Sequence, residues 1–418
     1  MKKDKDKLIE LLMKRKIDPS ITYPYIARMT GYTKMSIIRM NKKLSEEEKD
    51  IEVIKTHGNK GRKPSNTASQ TEIEYIVNFK AQYPEITIAQ FKDIYDEDII
   101  DNPDKKDDVD KYHLRKRSAS FFRELFVKFG WKSPVRHRIR KTKEQVHHLR
   151  NAMPRSGMLI QIDGTPYDWF NDDRKYSLHL AIDDATKDII AGWFTKNECL
   201  FGYLKVVEIM IKEYGVPIAM YSDKHSIFKP RDELEGQTKF QIIMERLGVE
   251  TIRANSSEAK GRVERYNGTC QRRLPNDIKR FKIKDYDELN IWFNSFYKKY
   301  LNKKFANVPL DPISEFVPVE EDFDYLDKLS IQVERIIRND IFSYEDSLFS
   351  PTDQTTGEIK HITNGIKVTV LHDILNKKIY VKRYNQLLPC IYIKDTHKKN
   401  EVSNRKDLTS RIGDFIDK

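Results

Sequence analysis

Two aspartates stand where apolar strands should continue. Asp163 follows the apolar run in MLIQIDG, and Asp223 follows the apolar run in VPIAMYSD. Strand interiors disfavour Asp, and burying a lone carboxylate costs free energy. Each aspartate therefore indicates either a turn or a carboxylate that is held at a strand end to bind a cation.

A third acid completes a candidate set. Glu264 lies in the predicted helix SSEAKGRVERYNG, about two turns from its start. Glu258 stands at the start of that helix, where the helix dipole alone favours an acid, so we leave it out of the set. Asp163 and Asp223 are 60 residues apart, and Asp223 and Glu264 are 41 residues apart.

The three acids together suggest metal-dependent chemistry on a phosphodiester. Clustered carboxylates repel one another unless cations lie among them, and their hard oxygen ligands suit Mg²⁺ or Mn²⁺. Two such ions about 4 Å apart can activate a water or a 3′-hydroxyl and stabilise the leaving oxygen. The sequence predicts that Asp163, Asp223 and Glu264 are the catalytic residues and the ligands of two Mg²⁺ ions, for which Mn²⁺ can substitute.

The elements that carry these acids follow a regular order. MLIQIDG, YSLHLAIDDAT and DIIAGWFTK read as three strands, and Asp183 and Asp184 are expected to make the turn after the second. Helices and strands then alternate, so the order is βββαβαβα. This order predicts an α/β ribonuclease-H-like (retroviral-integrase-like) core over residues 151–305, with Trp169 and Trp193 as packing residues.

Short strands separated by turns dominate the C-terminal part. They predict a small β-barrel over residues 331–395, which follows a linker at 306–330 and precedes a basic tail at 396–418.

The N-terminal part reads as all-α. Residues 1–55 are expected to hold a helix-turn-helix DNA-binding domain, with a turn at Gly31 and apolar spacing at Ile26, Met29, Met35 and Ile38. A plain helical hairpin is the alternative. A basic linker at 56–70 follows, because this stretch is rich in Gly, Pro, Ser, Thr and Asn.

Residues 71–150 suggest a second helix-turn-helix or winged-helix-like domain. Its strongest helix is SASFFRELFVKFGW, with Ser118 as N-cap. Apolar contacts are expected from five side chains of this helix, namely Phe121, Phe122, Leu125, Val127 and Phe129. The acidic stretch DEDIIDNPDKKDDVD is predicted to be an exposed loop.

The charge distribution points to nucleic acid. The net charge is +12, and residues 111–150 contain 13 Lys and Arg but only 2 Asp and Glu. Such a surface attracts phosphates through counterion release, although a solvated basic face is the alternative. The candidate DNA-binding residues are Lys34, Ser36, Arg39, Lys42, Arg62, Lys63, Arg117, Arg123, Lys128, Arg136, Arg138, Arg140, Lys260, Arg262 and Arg265.

Other features narrow the class of protein. The three cysteines are far apart, which argues against a disulfide framework or a zinc site. No apolar run approaches membrane-spanning length, and the charged N-terminus has no signal-peptide pattern. These features favour a cytoplasmic protein.

Four stretches carry a family resemblance: QIDGTPYDWF, LAIDDATKDIIAGWF, YSDKHSIF and NSSEAKGRVERYNGTCQRRL. They resemble the DDE transposases of bacterial insertion sequences with an integrase (rve-type) catalytic core, closest to the ISNCY-like group. The resemblance covers residues 20 to about 320. It implies a DDE triad at Asp163, Asp223 and Glu264, which cleaves element ends and transfers the strand into target DNA.

The resemblance also implies partners and a location. Expected partners are double-stranded DNA, as terminal inverted repeats and as target, and further copies of the chain in a synaptic complex. A bacterial, nucleoid-associated location follows. Two alternatives stay open: an inactive DNA-binding regulator derived from a transposase, and a ribonuclease-H-like nuclease.

Overall fold

The computed structural model describes residues 3–46, 66–134, 151–222, 227–228, 236–253, 261–384 and 386–396. Residues 56–65 of the predicted linker and residues 397–418 of the predicted tail lie outside this set. The chain divides into two compact units. One comprises Met1–Asn78 and Asp110–Leu114, and the other comprises Phe79–Val109 and Arg115–Lys418.

The first unit begins with three helices, α1 (Lys5–Ile17), α2 (Tyr23–Thr30) and α3 (Lys34–Glu46). Thr22 caps α2 by accepting a hydrogen bond from the Tyr25 N–H. Gly31 ends α2 with φ of 73°, a backbone conformation that favours glycine. The helix pair and the turn at Gly31 agree with the predicted arrangement.

The buried face of α3 differs from the predicted one. Ile37 is fully buried beside Leu8, Leu12 and Ile26, whereas Met35 is 60% exposed. A helix turns by about 100° per residue, so an error of one or two positions moves the predicted face to solvent. The predicted DNA-binding residues of α3, which are Lys34, Ser36, Arg39 and Lys42, are all exposed.

In residues 66–134, the structure has four further α-helices: α4 (Gln70–Ala81), α5 (Ile88–Tyr95), α6 (Lys106–Tyr112) and α7 (Ala119–Lys128). Ser118 caps α7 as predicted, by accepting a hydrogen bond from the Phe121 N–H at 3.2 Å. The buried face of α7 consists of Phe122, Leu125 and Phe126. Val127 is 78% exposed, so its predicted contact is wrong, because Val127 lies off the face of Phe122, Leu125 and Phe126. Phe129 is 39% exposed, and its ring stacks on Trp131 at 5.1 Å between ring centroids.

The acidic stretch after α5 is helical, so the predicted loop is wrong. It forms a π-helical turn (Asp96–Ile100), a 3₁₀ turn (Pro103–Lys105) and then α6. Acidic residues of this segment pair with basic residues that are distant in the sequence. Arg280 pairs with Glu97 at 3.0 Å and with Asp98, and Lys304 pairs with Glu97 at 2.9 Å.

The pKa of Glu97 reports this pairing. Burial alone would raise it, but hydrogen bonds and charge from Lys304 and Arg280 outweigh burial and lower the pKa. A carboxylate whose pKa is lower in the folded chain stabilises the fold above its unfolded pKa, and this contribution is lost as the pH falls. The packing of this acidic segment should therefore weaken in acid.

Replacing Arg280 with Leu should lower the free energy of unfolding by about 2 kcal/mol. The change leaves Glu97 and Asp98 without their Arg280 partner. These carboxylates are about one-third exposed, so the loss of stability is smaller than for a fully buried ion pair. Urea unfolding measures the effect. Arg174→Leu is the matched control, because Arg174 is 70% exposed in its pair with Asp172. Equal midpoints for the two variants would contradict the prediction.

A five-stranded sheet forms the centre of the second unit, in the order β3-β2-β1-β4-β5. Strands β1, β2 and β3 are antiparallel, whereas β4 and β5 run parallel to β1. The prediction of a ribonuclease-H-like core is confirmed by this order. The strands are β1 (Leu159–Tyr167), β2 (Tyr176–Asp183), β3 (Ile189–Thr195), β4 (Ala219–Ser222) and β5 (Glu250–Arg253).

Helices cover both faces of this sheet. One apolar cluster joins Ile160 and Ile162 to α8, and the other joins Leu178 and Leu180 to α10. Because successive strand residues point to opposite faces, Gln161 and Asp163 share the face that α10 covers. Among the described residues after the first three strands, the α-helices are α8 (Leu200–Glu213), α9 (Lys239–Arg246), α10 (Gly261–Phe281), α11 (Tyr286–Trp292), α12 (Lys298–Phe305) and α13 (Tyr325–Leu329). A π-helical turn, Phe293–Tyr297, joins α11 to α12.

The C-terminal strands form a nearly closed barrel, as predicted. Six strands follow the order β6-β9-β10-β11-β8-β7. The two edge strands are linked by a hydrogen bond of 2.9 Å from Arg335 Nε to the Ser343 carbonyl. The strands are β6 (Ile331–Ile336), β7 (Phe342–Tyr344), β8 (Ser347–Pro351), β9 (Lys367–Asp373), β10 (Lys378–Arg383) and β11 (Gln386–Asp395).

Within the described ranges, none of the helices combines the length and the apolar character that crossing a membrane requires.

Candidate active site

Asp163 lies in the middle of β1, so its expected place at a strand end is wrong, because β1 stays paired with β2 as far as Tyr167. Asp163 is on the face that α10 covers. It pairs with Leu180 of β2 and is half-buried. Its carboxylate accepts a hydrogen bond of 2.8 Å from the side-chain amide of Asn267 on α10. The first acid of the predicted set is thus joined directly to the helix that carries the third.

Asp223 lies outside the described residues, but the strand before it is described. β4 pairs with β1 in parallel, and the last registered pair is Gln161 with Tyr221. Asp163 and Asp223 each come two residues after that pair.

Glu264 lies in the first described turn of α10, and the predicted start of this helix, at Ser256 or Ser257, lies outside the described residues. Its side chain is exposed. Glu264 precedes Asn267 by three residues, and residues three apart are neighbours on a helix surface. The contact between Asn267 and Asp163 therefore also brings the turn that carries Glu264 to β1.

Asn267 is a site residue that sequence reasoning missed. It is 6% exposed, and its Oδ1 atom has no hydrogen-bond partner within the described residues. A buried amide oxygen without a partner is costly, so such an atom suits a site that a cation completes. Its spacing of three from Glu264 is the sequence signal that could have identified it.

The oxygen atoms of the described site residues are suitable ligands for a hard cation. Carboxylates of Asp163 and Glu264, with the unsatisfied oxygen of Asn267, are the oxygen ligands that Mg²⁺ and Mn²⁺ prefer. Across the described ranges, however, no group of three or more His, Cys, Asp or Glu side chains could hold a metal ion. The predicted third ligand, Asp223, falls outside those ranges.

Arg262, a predicted phosphate ligand, is engaged elsewhere. Its guanidinium pairs with the carboxylate of Asp184 at 2.7 Å, and Asp184 is fully buried. Asp184 also accepts hydrogen bonds from Gln161 Nε2 at 2.6 Å and from the Met153 N–H at 2.9 Å. Asp184, in the turn that follows β2, therefore contacts both β1 and α10. The sequence predicted only a role in the turn.

The other predicted DNA-binding residues outside α3 fall into three groups. Arg117 is only 8% exposed and lies 4.7 Å over the Phe121 ring, so its burial disagrees with the predicted phosphate contact. Arg123, Lys128 and Arg265 are exposed. Six residues lie outside the described part of the chain: Arg62, Lys63, Arg136, Arg138, Arg140 and Lys260.

The comparisons with known proteins concern part of the chain. No family model matches it. It is 39% identical over 175 residues to y4bF of Sinorhizobium fredii, a protein assigned as a transposase, and this covers 41% of the chain and 38% of that protein. It is 31% identical over 218 residues to the transposase for insertion sequence IS1202 of Streptococcus pneumoniae, covering 50% of the chain and 46% of the relative.

Similar solved structures include viral integrases. The HTLV-2 integrase catalytic core domain, in complex with magnesium, is 18% identical with a TM-score of 0.26, covering 33% of this chain and 86% of that one. The simian T-cell lymphotropic virus intasome with the PP2A regulatory subunit B56γ is 13% identical with a TM-score of 0.27, covering 58% and 83%.

The sequence matches span less than half the length of both curated relatives. Over the matched residues, the chain is related to bacterial transposases.

Proposed function

We propose that this chain is a DDE transposase, which cleaves DNA at the ends of an insertion sequence and transfers the strand into target DNA. The observation that carries the proposal is the hydrogen bond between Asp163 on β1 and Asn267 on the helix of Glu264. It occurs in a sheet of ribonuclease-H-like order, in a chain related to transposases.

The proposal assigns metal binding to the three acids. Asp163, Asp223 and Glu264 would hold two Mg²⁺ ions, or Mn²⁺ in their place. When bound, such ions activate the attacking oxygen and stabilise the leaving oxygen of a phosphodiester. Asn267 orients the Asp163 carboxylate, because its amide engages Oδ2 at 2.8 Å.

DNA binding is assigned to exposed basic residues. Lys34, Arg39 and Lys42 would contact element ends as part of a helix-turn-helix, and Arg123 and Lys128 would contact the DNA backbone from α7. Two DNA ends must be held together for strand transfer, so the active form is a multimer of this chain. Its place of action is the bacterial nucleoid.

A nicking and strand-transfer assay tests the proposal. The substrate is a supercoiled plasmid that carries the sequences flanking this gene, and the protein is the full chain with Mg²⁺ or Mn²⁺. We expect nicks at the element ends and joined products, both abolished by EDTA. Binding of the ends without any nicking would favour the inactive regulator, and a preference for RNA–DNA hybrids would favour the nuclease.

Neutralising three basic residues of α3 should weaken end binding and flatten its salt dependence. Each lost phosphate contact reduces the slope of log K against log salt by about 0.9, so Lys34→Gln, Arg39→Gln and Lys42→Gln together should reduce it by up to about 3. Fluorescence anisotropy at several salt concentrations measures the slope.

The control for this prediction is Lys14→Gln, because the Lys14 ammonium already pairs with Glu10 at 2.6 Å. An unchanged slope in the triple variant would exclude α3 as a DNA contact.

A further inference from the structure

Three polar bridges join β1 to α10. Gln161 Oε1 accepts a hydrogen bond from the Val263 N–H at 3.2 Å. Asn267 donates to Asp163 at 2.8 Å, and Gln271 Nε2 donates to Thr165 Oγ1 at 2.7 Å. We call these three contacts the polar ladder.

The spacing of the polar ladder is regular on both elements. Its members advance by two residues along the strand, at positions 161, 163 and 165, and by four along the helix, at 263, 267 and 271. Two strand residues span about 6.6 Å and four helix residues span about 6 Å. The three contacts therefore form together when the helix runs alongside the strand in a single register.

A slip in this register would be costly. Shifting the strand by one residue turns Asp163 and its neighbours to the other face of the sheet, and shifting the helix by one residue rotates it by about 100°. Either shift breaks all three contacts and leaves buried polar groups unsatisfied. Gln161 is fully buried, Asn267 is 6% exposed and Thr165 is 7% exposed.

The first contact of the ladder is braced from a third element. Gln161 Nε2 donates to the buried carboxylate of Asp184, which also pairs with Arg262. Arg262 directly precedes Val263, whose N–H donates a hydrogen bond to Gln161 Oε1. Asp184 and Arg262 thus fix the same turn of α10, the turn that carries Glu264.

We infer that Gln161, Thr165 and Gln271, with Asp184 and Arg262, are positioning residues for the Asp163 and Glu264 carboxylates. They set the register of α10 on β1, so that the two acids are presented at a constant separation. Asp163 forms the middle contact, and Glu264 lies between the first and second contacts along the helix. This inference rests on the proposed function.

The test uses Gln271, the ladder residue farthest from Glu264. Gln271→Leu removes the contact with Thr165, whereas Gln271→Glu retains it, because a carboxylate accepts the Thr165 hydroxyl hydrogen. Thr269→Val is the matched control, since its hydroxyl donates only within α10, to the Arg265 carbonyl at 3.0 Å. Asp163→Asn is the reference for loss of the site.

Two measurements are made on the full chain without DNA. The first is Mn²⁺ binding, followed by electron paramagnetic resonance with Mn²⁺ alone. Loss of a direct partner of a metal ligand typically costs about tenfold in affinity. Gln271 acts on Asp163 only through Thr165 and the register of α10, so Gln271→Leu should raise the half-saturating Mn²⁺ concentration by up to about that factor. Gln271→Glu and Thr269→Val should bind Mn²⁺ as the parent does.

The second measurement is amide hydrogen exchange. Gln271→Leu should speed exchange in residues 261–271, with the urea midpoint nearly unchanged. Thr165→Val serves as a second variant should Gln271→Leu fail to fold. Parental Mn²⁺ binding and exchange in both variants would overturn the inference.

The two proposals can fail separately. If Asp163→Asn loses Mn²⁺ binding while the Gln271 and Thr165 variants behave as the parent, the polar ladder has no positioning role and the proposed function stands. If Asp163→Asn keeps parental Mn²⁺ binding and nicking, the proposed function is wrong. The positioning role of the ladder falls with it, even where the exchange data show that the register depends on the ladder.

Discussion

Replacing Asp163 with Asn should reduce DNA nicking and strand transfer by at least about a thousandfold. Removing a metal ligand costs several kcal/mol of transition-state stabilisation, and about 4 kcal/mol corresponds to that factor. Asn has nearly the same shape as Asp and can still accept the Asn267 hydrogen bond. The fold and the DNA affinity should therefore stay as in the parent chain.

The measurement compares nicking of a plasmid with element ends and binding of the same ends by gel shift. Asp168→Asn is the control, because the Asp168 carboxylate accepts hydrogen bonds from the N–H groups of Asp172 and Asp173 in its own loop. It should nick at the parental rate. Full strand transfer by Asp163→Asn would refute the assignment of this acid.

Replacing Asp183 with Ala should cost about 4 kcal/mol of unfolding free energy, the largest stability effect that we expect. Asp183 is fully buried, and its carboxylate accepts hydrogen bonds from the N–H groups of Gly157, Ala185 and Thr186, at 2.8 to 2.9 Å. Alanine leaves all three N–H donors without a partner, and each such buried donor costs about 1–3 kcal/mol before the site relaxes.

Urea unfolding of the full chain measures this loss. The matched control is Asp353→Ala, since Asp353 also accepts two turn N–H groups but at a more exposed position. A loss for Asp183→Ala no greater than for the control would show that the turn after β2 is stable without its carboxylate.

Local patterns in the sequence were sufficient for much of the architecture. MLIQIDG and YSLHLAID are short, largely apolar runs, which are typical of strands covered on both faces, and the Ser118 cap depends on the next three residues. The barrel was predicted over 331–395, and its strands run from Ile331 to Asp395. Such features are readable because their causes lie within a few residues of one another.

Charged residues were predicted less well, because the sequence does not show which partner a charge meets. Asp98 pairs with Arg280, 182 residues away, and lies in a segment that is helical although its composition predicts a loop. Arg262 was expected on DNA but meets Asp184, and Arg117 is buried over an aromatic ring. The sequence does not distinguish a charged side chain that is solvated from one that is paired with an opposite charge.

By itself, the sequence determined the order of strands and helices and the elements on which Asp163 and Glu264 lie. Only the tertiary structure decided how those two elements align, through contacts between residues 102 to 106 positions apart. Periodicity assigns each residue to a face of its own element. The register between two elements arises from hydrogen bonds and packing that form once the chain has folded.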